Sequence, residues 1–258
     1  MTNRPVRIGV QLQPQHADYS ALHDAVRRAE DLGVDAVFNW DHFYPLRGDR
    51  AGKHFECWTM LAAWAEQTTQ VELGALVSCN SYRNPDLLAD MARTVDHISN
   101  GRLIFGIGSG WFEHDYTEYG YDFGTAGGRL DALGEAMPRI VDRWSKLNPA
   151  PTRKIPVLIG GGGEKKTLRL VAQHADIWHS FADLDTLKHK LGVLQGHCTD
   201  VGRDIKEIEI SVGAPDAAPA DAGPALLEAG VGLITVGMGG PSYDFGKLEQ
   251  WINWRNSL

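Results

Sequence analysis

From one end to the other the chain alternates short strand-like runs with amphipathic stretches, and few folds accept that pattern. Residues 6–12, 34–40, 71–78, 103–107, 155–159, 176–179, 208–212 and 231–236 read as strands. Residues 19–32, 58–68, 85–97, 130–147, 167–174, 184–201, 217–229 and 248–254 read as helices or parts of them. In the first helix Leu22, Val26, Ala29 and Leu32 share one face, with charges opposite. Gly33 suits its end, Pro85 suits a first helical turn, and Asn100-Gly101 is a stop. Parallel strands need crossovers, so the alternation implies a parallel sheet. Eight such units in 258 residues predict one closed (β/α)8 TIM barrel, a single domain over residues 1–258. A doubly wound open sheet is the other architecture the pattern permits.

Composition narrows the class of partner. Hydrophobic residues make up 43% and charged residues 22%, an ordinary globular balance. A net charge of -8 argues against nucleic acid as the main partner. Cys57, Cys79 and Cys198 are scattered without CxxC spacing, so neither a disulfide framework nor a zinc site is indicated. The first eight residues carry no apolar leader core, and no apolar run approaches membrane-spanning length. The expectation is a cytoplasmic protein with no membrane partner.

Connections in such a fold are short, so two long ones stand out, residues 41–54 and 111–128. They follow the second and fourth strands and would meet at the C-terminal mouth, where barrels of this kind keep their active sites. After the fifth strand come Gly160, Gly161, Gly162 and Gly163, then Lys165, Lys166 and a helix. A helix start has free N–H groups and a positive dipole end, and glycines let a ligand approach the backbone. The stretch is a candidate phosphate cradle or simply a tight turn. It has neither Walker nor GxGxxG spacing.

Other candidates lie at the same rim. Asp41-His42 directly follows the second strand, and a histidine placed there is a candidate for hydrogen bonding or proton transfer. Leu76, Val77, Ser78, Cys79 and Asn80 end the third strand; the small polar ones suit hydrogen bonds to a flat heterocycle. Arg83 suits an anion or a helix acid. Gly106, Gly108, Ser109, Gly110, Trp111 and Phe112 end the fourth strand, with close backbone approach and flat faces for stacking. No metal-ligand spacing is visible and no base stands beside a nucleophile. A mouth of this kind suits a bound organic cofactor that carries the chemistry.

On these residues the chain resembles the bacterial luciferase-like superfamily, and within it the deazaflavin-dependent branch that uses coenzyme F420. The resemblance rests on residues 35–43, 73–78, 82–85, 96–102, 105–111, 155–163 and 174–178, in that order and spacing. It implies a (β/α)8 barrel with the cofactor at the C-terminal rim, and hydride transfer at the central carbon of its ring. It places Asp41 and His42 beside the ring, with His42 donating a hydrogen bond or shuttling a proton. It puts a non-proline cis peptide at Leu76-Val77, against the ring. Ser109 and Gly110, with Gly161 to Gly163, match the phosphate and tail contacts, assisted by Lys165 and Lys166. It also suggests a homodimer.

Two positions depart from the branch's sugar-phosphate dehydrogenases. Trp111 stands where those carry an acidic Glu after the strand-four glycines, and Leu46 where they carry a Trp. The segment before the fifth strand is also shorter than in many relatives. The leading expectation is an F420-dependent oxidoreductase acting on a small organic substrate. An FMN-dependent monooxygenase and a non-catalytic cofactor-binding barrel are the alternatives.

Overall fold

The computed structural model describes residues 6–258. Residues 1–5, part of the stretch read for a leader, lie outside the described residues. In chain order the strands are β1 Arg7–Gln13, β2 Ala36–Asn39, β3 Glu72–Ala75, β4 Ser78–Cys79, β5 Leu103–Gly108, β6 Val157–Gly160, β7 Ile177–Ser180, β8 Glu209–Gly213 and β9 Val231–Gly239. The helices are α1 Tyr19–Asp31, α2 Cys57–Gln67, α3 Pro85–Ile98, α4 Glu113–Tyr119, α5 Ala126–Lys146, α6 Thr167–His174, α7 Leu184–Val201, α8 Pro219–Glu228 and α9 Gly246–Asn256.

Neighbouring strands pair in parallel in the order β3-β2-β1-β9-β8-β7-β6-β5-β4, and a further β3–β5 pairing closes the ring. β3 and β4 are halves of one barrel strand, interrupted at Leu76 and Val77, so the closed sheet has eight strand positions. This is the predicted (β/α)8 barrel. Both faces of the sheet are covered, and β2 and β5 are buried at every residue. Inside the barrel Ala36, Phe38, Leu76, Ile104, Leu158, Ile177 and Leu233 form one apolar plug. Below it Arg7 bridges Glu72 and Glu209. Outside, a larger core fills the space between strands and helices.

Local chemistry starts and stops these elements where a physical cause exists. The Glu56 carboxylate accepts from the N–H groups of Trp58 and Thr59 and so caps α2. Asn84 accepts from Asp86 N, with Pro85 in the first turn of α3. Asn100 and Gly101, with φ of 56° and 80°, end that helix in the left-handed region.

Several elements differ from the sequence expectation, among them α5, which begins at Ala126 and not at residue 130. The long connection 111–128 contains α4, a seven-residue helix. β9 runs to Gly239, three residues past the expected end. The third strand does not run straight through to Ser78. It breaks at a cis Leu76–Val77 peptide, the place the resemblance gave. Among the described residues no helix is long and apolar enough to cross a membrane.

Candidate functional site

His42 follows β2 at the C-terminal rim, and its nearest acid is not its sequence neighbour. His42 Nδ1 lies 2.8 Å from Asp115 Oδ2, and the Asp115 side chain is fully buried. Asp115 comes from α4, the helix hidden in the expected loop. Its Oδ1 also accepts from Phe43 N at 3.2 Å and Tyr44 N at 3.1 Å, and its Oδ2 from the Tyr82 hydroxyl at 3.1 Å. The carboxylate thus ties together the rim loop, the histidine and the segment after β4. The histidine side chain is 12% exposed, and its Nε2 meets no partner among the described residues. That nitrogen is the open edge of the pair.

Asp41 has other work. Its carboxylate accepts from Arg83 at 2.6 and 3.0 Å and from Cys79 N at 2.9 Å. Arg83 also reaches Glu56, the α2 cap, at 2.5 Å. Of the two readings open for Arg83, the structure takes the ion pair. Burial opposes the charge on Arg83, but Asp41 first, with Cys57 and Glu56, outweighs it and its pKa is raised. Asp41 therefore anchors the strand just past the cis peptide instead of supplying the acid beside His42.

The interrupted strand also redirects Ser78. Straight alternation would aim it inward with Gly74 and Leu76. The break shifts the phase, so Ser78 pairs in register with Ile107, which faces the helices. Its hydroxyl accepts from Trp58 Nε1 on α2 at 3.1 Å, so it does not face the mouth. Cys79 takes the register opposite Gly108. Its thiol is 3.2 Å from the Tyr116 hydroxyl, and burial pushes its pKa up to about 11, which suits packing and not a nucleophile. Asn80 is buried, with Oδ1 unpartnered.

Val77 sits at the mouth over two glycines. A Cβ on Gly108 would come within 2.8 Å of Val77 Cγ2, and one on Gly160 within 3.0 Å of Cγ1. Beyond them, Gly161 has φ of 118°, donates to His179 O and accepts from Trp178 Nε1. The backbone N–H groups of Gly162, Gly163, Glu164, Lys165 and Lys166 have no protein acceptor among the described residues. The predicted cradle is thus an open row of donors before α6. Its charge is arranged differently from the expectation: Lys165 is exposed, Lys166 is paired with Asp131, and Lys190 from α7 lies over Gly162. Ser109 O and Gly110 O turn toward Tyr116 and Arg129.

The walls around His42 are aromatic. Trp40, Trp111 and Phe112 meet its ring edge to face, with centroids 5.9, 5.7 and 5.4 Å away. Trp111 is 63% exposed and also packs against Phe112. Arg50 stacks over Phe112 at 4.9 Å. His54 accepts from Trp40 Nε1 at 3.0 Å. Burial above all lowers the His54 pKa to about 4, so it remains a neutral acceptor. No cluster able to hold a metal exists among the described residues.

The barrel and this rim define a class, and comparison with known proteins agrees. The family described as luciferase-like monooxygenase matches residues 2–229, and the chain belongs to that family. An F420-dependent glucose-6-phosphate dehydrogenase from Amycolatopsis mediterranei is 28% identical over 61% of this chain and 52% of the relative. One from Intrasporangium calvum is 32% identical over 57% of this chain and 40% of the relative. The chain thus spans about half the length of these curated relatives, or less. Among solved structures, an F420-dependent secondary alcohol dehydrogenase in complex with an F420-acetone adduct superposes with a TM-score of 0.84. It is 17% identical over 96% of this chain and 97% of that one. The monooxygenase RslO1 from Streptomyces bottropensis superposes at 0.72 with 16% identity over the same shares.

Proposed function

We propose that this chain is an oxidoreductase that uses coenzyme F420 and acts on a small organic substrate at the barrel mouth. The observation that carries the reading is the open donor row of residues 162–166 on the same rim as His42 with its free Nε2. The F420-dependent relatives support it. The mouth fits a phosphate-bearing cofactor in its donors: the N–H groups of residues 162–166 are open, while the bare Cα positions of Gly108 and Gly160 make room for Val77. When bound, the deazaflavin supplies a ring carbon that gives or takes a hydride.

The residues of this chain do the rest. Gly161, Gly162 and Gly163 and the free N–H groups hold the phosphate, with Lys165 and Lys190 adding charge. Ser109 and Gly110 border the tail. Leu76 and Val77 back the ring, and Asn80 offers its unpartnered oxygen nearby. His42 holds or releases a proton at Nε2. Trp40, Trp111 and Phe112 exclude water from it. Because Trp111 replaces the acid of the sugar-phosphate dehydrogenases, a sugar phosphate is not the substrate proposed here.

We place the protein in the cytoplasm as a single domain. Its three cysteines are free and buried, as a reducing compartment allows. A homodimer is the proposed assembly. Leu87 and Ile98 of α3 are 55% and 39% exposed, with half-buried Met91 between them on the same helical face. The test is a titration of purified protein with oxidised F420 and with FMN, followed by tryptophan fluorescence. Tight F420 and weak FMN binding is expected. Tight FMN binding with oxygen consumption would replace the reading with a flavin monooxygenase, and binding of neither would remove it.

A further inference from the structure

We propose that Asp115 is the positioning residue of this site, holding His42 in the tautomer that leaves Nε2 a bare acceptor facing the mouth. Nothing in the sequence around His42 points to Asp115, which lies 73 positions away. The assignment rests on how its two oxygens are used. Oδ1 receives two backbone N–H groups, from Phe43 and Tyr44, and Oδ2 receives the Tyr82 hydroxyl. An ionised carboxylate only accepts. The group 2.8 Å from Oδ2 must then be a donor, which makes it Nδ1–H. In the neutral ring the other nitrogen carries no hydrogen. Nε2 is therefore ready to take a proton: an O–H or N–H bond of the ligand breaks, an Nε2–H bond forms, and the ring's positive charge rests against Asp115. In the reverse direction the proton returns to the same oxygen or nitrogen, a carbonyl or imine being reduced there only as its carbon gains the hydride.

The geometry separates this role from simple packing. In Asp115→Asn the amide oxygen must stay at the Oδ1 position, because two backbone N–H groups point there. The amide nitrogen then replaces Oδ2 and donates to His42 Nδ1. The ring is driven to the opposite tautomer, with Nε2–H facing the mouth, while shape and burial are unchanged. An equivalent carboxylate-to-amide change in a serine-protease triad costs roughly 10⁴-fold in turnover for this reason.

The tautomer stands on the apo-protein alone; its use in proton transfer rests on the oxidoreductase reading. The experiment is ¹⁵N–¹H correlation NMR of the histidine rings, with His42 assigned from its loss in His42→Ala. Expected, at a pH high enough to leave the imidazole rings neutral, is His42 protonated at Nδ1 in the wild type and at Nε2 in Asp115→Asn, with the other histidines unmoved. Tyr82→Phe, which removes only the hydroxyl on Oδ2, keeps the wild-type pattern. A wild-type ring already protonated at Nε2, or an unchanged ring in Asp115→Asn, overturns the proposal. Should Asp115→Asn not fold, the wild-type spectrum still decides. F420 titration runs alongside. Wild type and Asp115→Asn are expected to bind alike within about twofold, since the site's shape is kept. Loss of F420 binding in the wild type removes the oxidoreductase reading and leaves the tautomer result standing.

Discussion

Replacing Arg83 by Met removes the counter-charge of Asp41 and nearly preserves volume. The Asp41 side chain is fully buried and that of Arg83 is 10% exposed. Glu56, the other partner, is 38% exposed and screened by water, so the effect comes almost wholly from Asp41. In Arg83→Met that carboxylate keeps only Cys79 N. Breaking a buried pair from one side costs about 3–5 kcal/mol, because the orphaned charge stays out of water. An unfolding entropy near 2.1 cal/mol/K per residue over 258 residues is about 0.5 kcal/mol/K, so the melting temperature should fall by about 6–9 °C. Urea unfolding of wild type, Arg83→Met, Asp41→Asn and the double variant supplies the cycle. The double variant should recover about half of the Arg83→Met loss, since the amide no longer needs a counter-charge. A loss under about 1 kcal/mol, or a double variant worse than the sum of the singles, refutes the reasoning.

Three further outcomes are expected. His179 is buried with its pKa lowered to about 3, its Nδ1 on Ser211 Oγ. The unfolded chain binds that proton near pH 6.5, so the stability it contributes is complete above 6.5 and lost as pH falls toward 3, about 2 kcal/mol by pH 5. His179→Asn should flatten that acid limb in urea unfolding; an unchanged limb assigns it elsewhere. Gly108→Ala puts a methyl group 2.8 Å from Val77 Cγ2 and should cost about 1–3 kcal/mol, with F420 binding weakened; Val77→Ala in the same chain should restore the stability, and no restoration in urea unfolding would place the clash elsewhere. His42→Ala should bind F420 as the wild type does while hydride transfer, followed by F420 absorbance with any substrate turned over, slows about 10²–10⁴-fold; an equal rate removes His42 from the mechanism.

The barrel was legible because its signals are local. Each strand, turn and helix announces itself within about a dozen residues, and the glycine cradle is a strand, a turn and a helix start in one stretch. The cis peptide position came from family resemblance, not from any local rule. What stayed hidden depends on contacts between distant segments. α4 has seven residues, Glu113 to Tyr119, with no apolar period to mark it, so Asp115 read as one more loop acid. Sequence adjacency paired His42 with Asp41, whereas folding paired His42 with residue 115 and Asp41 with residue 83. Ser78 reads as a mouth residue because it ends the third strand, but the break between 76 and 78 turns it toward α2. Lys190 reaches the cradle from the next helix, which no spacing rule connects to it.

β4 pairs with β5 alone, so between β2 and β4 the ring is not laced by a continuous ladder. That seam is fastened by buttons: Leu76 N to Asn39 O, Gln11 Nε2 to Leu76 O, and Cys79 N to Asp41. Two of the three are side chains. A wall stitched this way can have its tension altered one residue at a time, at Gln11 or Asp41, with every ladder bond of the barrel left in place. The edge that carries Val77 is thus tunable apart from the frame that holds it.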